Sequence, residues 1–531
     1  MKVCFLWIIF TVLIGSEALL AQSVVRGIVY QDVNLNSRKD RKEKGIAGVA
    51  VSNGTDVVQT DANGRYELPS SDDQIIFVIK PAGYRVPVNA FNQPQFYYIH
   101  KPNGSPELKH PGSQPTGPLP KSVDFPLIPA VSTDSFSILV FGDPQTGNLQ
   151  DVDFFKRGVV SELAGVKGVE FGISMGDQAF DNLDVHQPYI EALQPIGVPW
   201  YNVIGNHDEN YDVEDDRLSD ETFERNFGPA NYSLNHGKVH FIVLDDILYP
   251  DPRDGRGYWG GLRKDQLQFI ENDLKFVPKD HVVVLAFHIP ISEPGGGDSF
   301  RDEDREKLFD LIKDYSNTLS ISAHTHLQRQ DFFYPEDGWP GKDRHYHFNV
   351  GTTSGDWYSG RLNEQGVPFA TMRDGTPKGY AFVDFTGNQY RIRYQVAGKP
   401  ADYQMEIFAP KLVERNKRTT ASIAVNFFMG SPRDSVFFRV DGGEWERMNN
   451  VIDYDPAYLN LLHEWDFTEV LLDGRRPSNP VFCNHIWKAR VPTALEDGEH
   501  TIEVRAHDQF GQTFTQTKTY RVASGKPAAG N

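Results

Sequence analysis

The chain has 531 residues, 39% hydrophobic and 12% aromatic, and a formal net charge of −19. This length predicts two to four domains, with enough apolar material for large cores. The acidic balance argues against nucleic acid or an anionic membrane as partner, since both call for a basic surface; it does not exclude a small anionic substrate, because bound divalent cations invert the local field.

Lys2 precedes a mostly apolar run from Val3 to Ile14, and Ala18-Leu19-Leu20-Ala21 offers small residues at a cleavage point. The run is shorter than the roughly 20 residues that span a bilayer. Residues 1–21 therefore read as a signal peptide, and the mature chain as periplasmic or secreted with no integral membrane segment. Cys4 stands too early for a lipoprotein cysteine, so Cys483 is the one cysteine of the mature chain. Any metal site must then rely on oxygen and nitrogen ligands.

Short strands punctuated by turns, among them Asn53-Gly54 and Asp61-Ala62-Asn63-Gly64, fill residues 22–85 and predict a small N-terminal β-sandwich. Its pattern looks like the repeat modules of bacterial surface proteins. In its first loop Asp32, Asn34, Asn36, Asp40 and Glu43 fall at positions 1, 3, 5, 9 and 12 of a calcium loop, although Ser37 replaces the usual Gly and four basic residues crowd it. Residues 86–134, rich in Pro, Asn, Gln and Gly, read as a linker packed on its neighbours.

From residue 135 to 398 strands and helices alternate, which predicts α/β layering. Apolar runs at 136–141, 169–175, 198–204, 282–287 and 319–322 read as strands, with helical patterns between them. After residue 399 the helical signal fades, and 399–524 reads as a C-terminal β-rich domain with an inserted segment carrying Arg475-Arg476.

Chemistry-bearing residues follow the strands of the middle region in order: Asp143-Pro144-Gln145, Gly176-Asp177, Gly205-Asn206-His207-Asp208, His288, and His324-Thr325-His326. Strand ends are where open α/β sheets place their sites. If the last motif is extended, residues i and i+2 share a face and both imidazoles converge.

This order resembles the calcineurin-like metallophosphoesterases over about residues 135–395. The resemblance implies a four-layer αββα core, flanked here by N- and C-terminal all-β sandwiches. It implies two divalent metal ions (Mn, Zn or Fe), one held by Asp143, Gln145, Asp177 and His326, the other by Asp177, Asn206, His288 and His324. It implies hydrolysis of a phosphate ester, diester before monoester; the net charge of −19 points to a small or lipid-like ester rather than a polynucleotide. His207 is the expected general acid, with Asp208 orienting its ring. Two departures stand out: Gln145 occupies a position where many members have His, and Phe180 stands where purple acid phosphatases carry an iron-binding Tyr.

Asp356, Trp357 and Tyr358 follow a strand just after the His-x-His motif and are expected at a substrate pocket. His236 and His240 read as structural, Asp245 and Asp246 as capping groups. The alternative to an enzyme is a surface adhesin or glycan-binding protein on a non-catalytic phosphoesterase scaffold, against which the complete ligand set speaks. The sequence leaves the oligomeric state open.

Overall fold

The computed structural model describes residues 23–131, 133–293 and 299–525; the expected signal peptide lies outside them. Two sheets face each other at the centre. One has five strands in the order Trp200–Val203, Phe171–Met175, Ser135–Phe141, Gly379–Thr386 and Gln389–Val396. The other has six, ordered Tyr232–His236, Val239–Val243, Val282–Ala286, Asn317–Ser322, His345–Asn349 and Arg329–Phe333. Val140, Ile173 and Val203 of the first share one core with Phe241, Val284 and Ile321 of the second.

Helices cover the outer faces. Leu149–Gly158 and His186–Leu193 close a second core over the five-stranded sheet through Phe155, Tyr189 and Leu193. Lys264–Asp273 and Asp302–Ile312 pack Phe269, Ile270, Leu308 and Phe309 under the six-stranded one. The central strands are buried on both faces, as parallel strands between helical layers must be. The expected αββα arrangement is thus present. No helix among the described residues is long and apolar enough to cross a membrane.

The N-terminal sandwich corrects the expected boundary. Tyr97–His100 pairs with Gln74–Val78, and Phe125–Pro129 runs parallel to Val24–Gln31, so residues 86–134 contribute strands to both sheets of the module they were expected only to follow. Prolines mark the edges of these two strands, and that composition disguised them as linker. The C-terminal domain is a sandwich of a four-stranded and a five-stranded sheet, with helix Pro456–Asp466 opening the inserted segment.

Charges buried at the interfaces fix the sandwiches to the core. The ammonium of Lys101, at the end of an N-terminal strand, meets Glu221 at 2.6 Å and Glu224 at 3.0 Å on helix Glu221–Phe227, and Asp73 at 2.8 Å. Burial disfavours this cation, but the carboxylates outweigh burial and raise its pKa. On the other side, Asp374 accepts from the Gln328 backbone at 2.9 Å and faces His485 Nε2 of the C-terminal sheet at 3.3 Å.

Removing one member of a buried pair leaves its partners charged and unsatisfied. Lys101→Ala is expected to destabilise the protein by about 3–5 kcal/mol in urea unfolding; a loss below about 1 kcal/mol, the scale of an exposed pair, would show that the contact does not anchor the interface.

Candidate functional site

The expected metal ligands come together where the two central sheets present their carboxyl ends. Asp143, Gln145, Asp177, Asn206, His288 and His326 are buried, and His324 is half-buried. Single atoms of Asp177, His288 and His324 lie within 4.8 Å of one another. His288 Nε2 stands 3.1 Å from Asn206 Oδ1, 3.2 Å from His324 Nδ1 and 3.3 Å from Asp177 Oδ1. On the other side His326 Nε2 is 3.7 Å from Asp143 Oδ1. Asp177 spans the two groups: its Oδ1 faces His288, while its Oδ2 accepts from Gln145 Nε2 at 2.8 Å.

Backbone carbonyls set the imidazoles. His288 Nδ1–H donates to Met175 O and His326 Nδ1–H to Gly355 O, each at 2.7 Å, which leaves both Nε2 atoms turned inward. His324 differs and presents Nδ1. Burial pushes His324 down to about 3 and His326 to about 4, so both are neutral, the form that ligates metal. Burial opposes charge on His288 too, but Asp177 and Asp143 prevail and raise it to about 10, so ligation at its Nε2 would displace a proton.

Three buried atoms, Asp143 Oδ1, Gln145 Oε1 and His326 Nε2, have no hydrogen-bond partner. They belong to one expected ligand group, while lone pairs of the other face each other at hydrogen-bond distance. Unpaired lone pairs of this kind are costly unless a cation takes them. The carboxylate, imidazole and amide set suits divalent Mn, Zn or Fe and fits the two-metal reading.

The backbone bends sharply to produce this convergence. Asp143, Gln145, Asp177, His324 and His326 have φ of 32°, 41°, 52°, 65° and 54°. Non-glycine residues there cost about 1–3 kcal/mol each and concentrate at functional sites. The His-x-His motif is therefore not the expected extended segment: two left-handed histidines form a tight loop, closed by Thr325 N–H to Ala323 O at 2.7 Å.

The expected partner of His207 is corrected. Asp208 is fully buried and accepts from the backbone N–H of Gln178, Ala179 and Gly205 and from His186 Nε2. It ties the loop together and does not touch the His207 ring. Asp181 does, accepting from Nδ1 at 2.7 Å, while Phe180 packs on the ring at 4.6 Å. Burial lowers the His207 pKa, but Asp177 and Asp181 outweigh it and the net shift is upward. Asp246 behaves as expected of a capping group, accepting from the backbone of His288 and Ile289; Asp245 takes Ile247 N–H and the Arg263 guanidinium. His240, between Asn235 and Asp273, is structural.

Of the three residues expected to line a substrate pocket, only Trp357 reaches the site, stacked on His326 with ring centroids 4.2 Å apart. Asp356 is buried and accepts from Ser359 and from the Ser478 backbone, and the Tyr358 hydroxyl donates to Pro144 O. These two hold the loop rather than line a pocket. The C-terminal insert clamps the same loop: Gly360 N–H donates to Arg475 O at 2.7 Å, and the Arg475 guanidinium caps Trp357 O. Phe180, Tyr211 and Tyr258 complete an aromatic mouth around His207 and His324.

Far from this site, the loop of Asp32, Asn34, Asn36, Asp40 and Glu43 does gather its carboxylates. Asp32 accepts from the backbone of Leu35, Asn36 and Ser37, both asparagine amides reach Asp40, and Glu43 accepts from Val33 and Asp40. Lys39 places its ammonium on the carbonyls of Asp40 and Glu43. The acidic cluster by itself assigns no ion.

Two glycines make room for the ligands. A Cβ on Gly205 would lie 2.1 Å from Asp177 N, and one on Gly176, at φ +96°, 2.2 Å from His288 Nδ1. Gly205→Ala is expected to lower bound metal, read by elemental analysis, with the circular dichroism of the fold retained. Asp177→Asn should deplete both metals and Asn206→Ala only one. Equal depletion by the two would contradict Asp177 as the shared ligand.

Models described as N terminal of Calcineurin-like phosphoesterase, Calcineurin-like phosphoesterase and C terminal of Calcineurin-like phosphoesterase match residues 33–110, 136–328 and 347–514 in turn. The probable glycerophosphodiester phosphodiesterase GpdQ of Arcobacter nitrofigilis is 26% identical over 142 residues, 26% of this chain and 48% of that protein. Purple acid phosphatase 7 of Arabidopsis thaliana is 26% identical over 219 residues, 37% of this chain and 65% of its own. The chain thus spans less than two thirds of either relative. A solved structure of purple acid phosphatase PPD1 from yellow lupin (Lupinus luteus) covers 67% of this chain and 69% of its own at 13% identity, with a TM-score of 0.36. With three models of one family matched in order along it, the chain belongs to the calcineurin-like phosphoesterases.

Proposed function

We propose that the protein is a dinuclear metal-dependent hydrolase of organic phosphate esters, with diesters preferred to monoesters. The observation that carries this is the set of three buried, unpartnered donor atoms beside a second group of converging lone pairs, joined by Asp177. When bound, two divalent cations neutralise phosphoryl oxygens and acidify water for in-line attack.

The chain's own residues supply the rest. Asp143, Gln145, Asp177 and His326 would hold one cation; Asp177, Asn206, His288 and His324 would hold the other. His207 gives its Nδ1–H to Asp181, so its Nε2 is free to face the ester. Protonated there, it donates to the leaving alkoxide as the P–O bond breaks, and the products are the alcohol and the shortened phosphate. His207 is half-buried and Asp181 exposed, so the proton is replaced from solvent.

The preference for a diester rests on charge. A monoester dianion calls for more positive charge than a diester monoanion. Arg373 and Arg475, which flank Trp357, are turned to backbone carbonyls: Arg373 to Thr325 O at 3.2 Å, Arg475 to Trp357 O. The aromatic mouth suits an apolar second substituent. The net charge of −19 favours small or lipid-like esters over polynucleotides. One of the relatives named above is a probable phosphodiesterase, which agrees.

The metal-loaded protein is expected to hydrolyse bis(4-nitrophenyl) phosphate with a kcat/KM at least about tenfold above that for 4-nitrophenyl phosphate, and to act more slowly on short oligonucleotides at physiological salt. The reverse order would overturn the substrate assignment; bound metal with no turnover of any ester would favour a non-catalytic scaffold. His207→Ala should retain both metals and lower kcat by roughly 10²–10⁴-fold, most for poor leaving groups. Asp181→Asn should lower kcat less than His207→Ala does, while Asp208→Asn should act through stability. Loss of metal in His207→Ala would remove it from the role of acid.

A further inference from the structure

Strands Asn317–Ser322 and His345–Asn349 run parallel, with Ser320 opposite His347 and Ser322 opposite Asn349. On one face of this pair sit Thr318, Ser320 and Ser322 from the first strand and His345, His347 and Asn349 from the second. All six are buried. Their side chains form an unbroken hydrogen-bonded zigzag. Thr318 Oγ1 meets His345 Nδ1 at 2.8 Å, and His345 Nε2 meets Ser320 Oγ at 2.8 Å. Ser320 Oγ meets His347 Nδ1 at 2.7 Å, and His347 Nε2 meets Ser322 Oγ at 3.0 Å. Ser322 Oγ reaches Asn349 Oδ1 at 3.2 Å. Asn349 Nδ2 then donates to Thr325 Oγ1 at 2.9 Å and to Leu327 O at 2.7 Å.

Donor counting gives this chain a single polarity. Leu327 O only accepts, so the Asn349 atom beside it is the amide nitrogen, and Oδ1 is the atom facing Ser322. The one Ser322 proton is used on that oxygen, so His347 Nε2 must carry a proton and donate. A neutral His347 then has a bare Nδ1, which takes the Ser320 proton. Ser320 has none left, so His345 donates from Nε2 and accepts from Thr318 at Nδ1. Neutrality follows from the surroundings: Phe287 stacks on His347, and Phe309 and Trp339 enclose His345. Burial lowers both imidazole pKa values.

The ladder ends on the loop that carries two candidate ligands. Thr325 lies between His324 and His326, and Leu327 follows His326, so the Asn349 amide grips the loop on both sides of His326. Both of these histidines hold left-handed φ, a conformation the loop does not keep without support.

We propose that Thr318, Ser320, Ser322, His345, His347 and Asn349 are positioning residues for the metal centre: a ladder of fixed hydrogen-bond direction that holds the His324–His326 loop in its ligating shape. It is a scaffold and not a proton path. A primary amide relays a proton only by passing through its imidic acid form, so Asn349 interrupts any relay, and protons move at His207 instead. This inference rests on the proposed metal centre, but its tautomers are set by the fold alone.

Two measurements on the full chain test it. Nitrogen-15 spectra of histidine-labelled protein should show His345 and His347, identified through His345→Gln and His347→Gln, as neutral imidazoles protonated at Nε2. A proton on Nδ1 of either would overturn the ladder's polarity. Chelator competition should show Asn349→Ala losing metal affinity by at least about tenfold. Ser322→Ala should lose less, and Ser322→Thr, which keeps the hydroxyl, should retain wild-type affinity. Circular dichroism of the metal-free variants separates a lost fold from a lost loop. Wild-type affinity in folded Asn349→Ala would overturn the positioning role. If the wild type binds metal in this ladder-dependent way but hydrolyses no ester, the catalytic reading fails and the ladder stands.

Discussion

The governing constraint is the convergence of carboxylate, imidazole and amide lone pairs at one buried point between two sheets. Such groups repel one another and lose hydration on burial, and neither cost falls on a surface site. The core answers with rigidity. Its strands are buried on both faces, and each ligand sits two to four residues beyond a strand end. A small shift of any strand would separate donor atoms that now stand 3.1–3.7 Å apart.

Strain is the second half of that answer. Five candidate ligands hold left-handed backbone, at a cost that together is comparable with the net stability of an ordinary domain. Each one is tied to its neighbours: Ser354 N–H donates to Asp143 O, Gln145 N–H to Asp177 O, His324 N–H to Asp143 Oδ2, and His326 Nδ1–H to Gly355 O. These supports are buried and polar, and each keeps one ligand from relaxing into a commoner conformation.

Ligand identity was legible in the sequence because each ligand motif follows an apolar strand, and the order of strands is a linear record. Orientation was not. Asp208 neighbours His207 in the chain, but the short helical turn at Asn206–Asp208 sends the two side chains apart, and Asp181 arrives from another loop. The strands Tyr97–His100 and Phe125–Pro129 were hidden by their proline-rich surroundings. The pattern Asn-Thr-Leu-Ser-Ile-Ser reads as a strand with one face to water, yet that face is sealed because the neighbouring strand offers a matching polar row. Pairing of that kind exists only once the register is known.

The clamp between Gly360 and Arg475 has an evolutionary reading. Modular proteins usually change their sandwiches without touching the chemistry of the core. Here the loop that stacks Trp357 on His326 is held partly by the core and partly by a C-terminal insert that bonds to it through Arg475 and Ser478. A core transplanted without its sandwich would keep its metal ligands and lose the shape of its mouth. The shape of the loop beside His326 therefore depends on residues nearly 120 positions from Trp357.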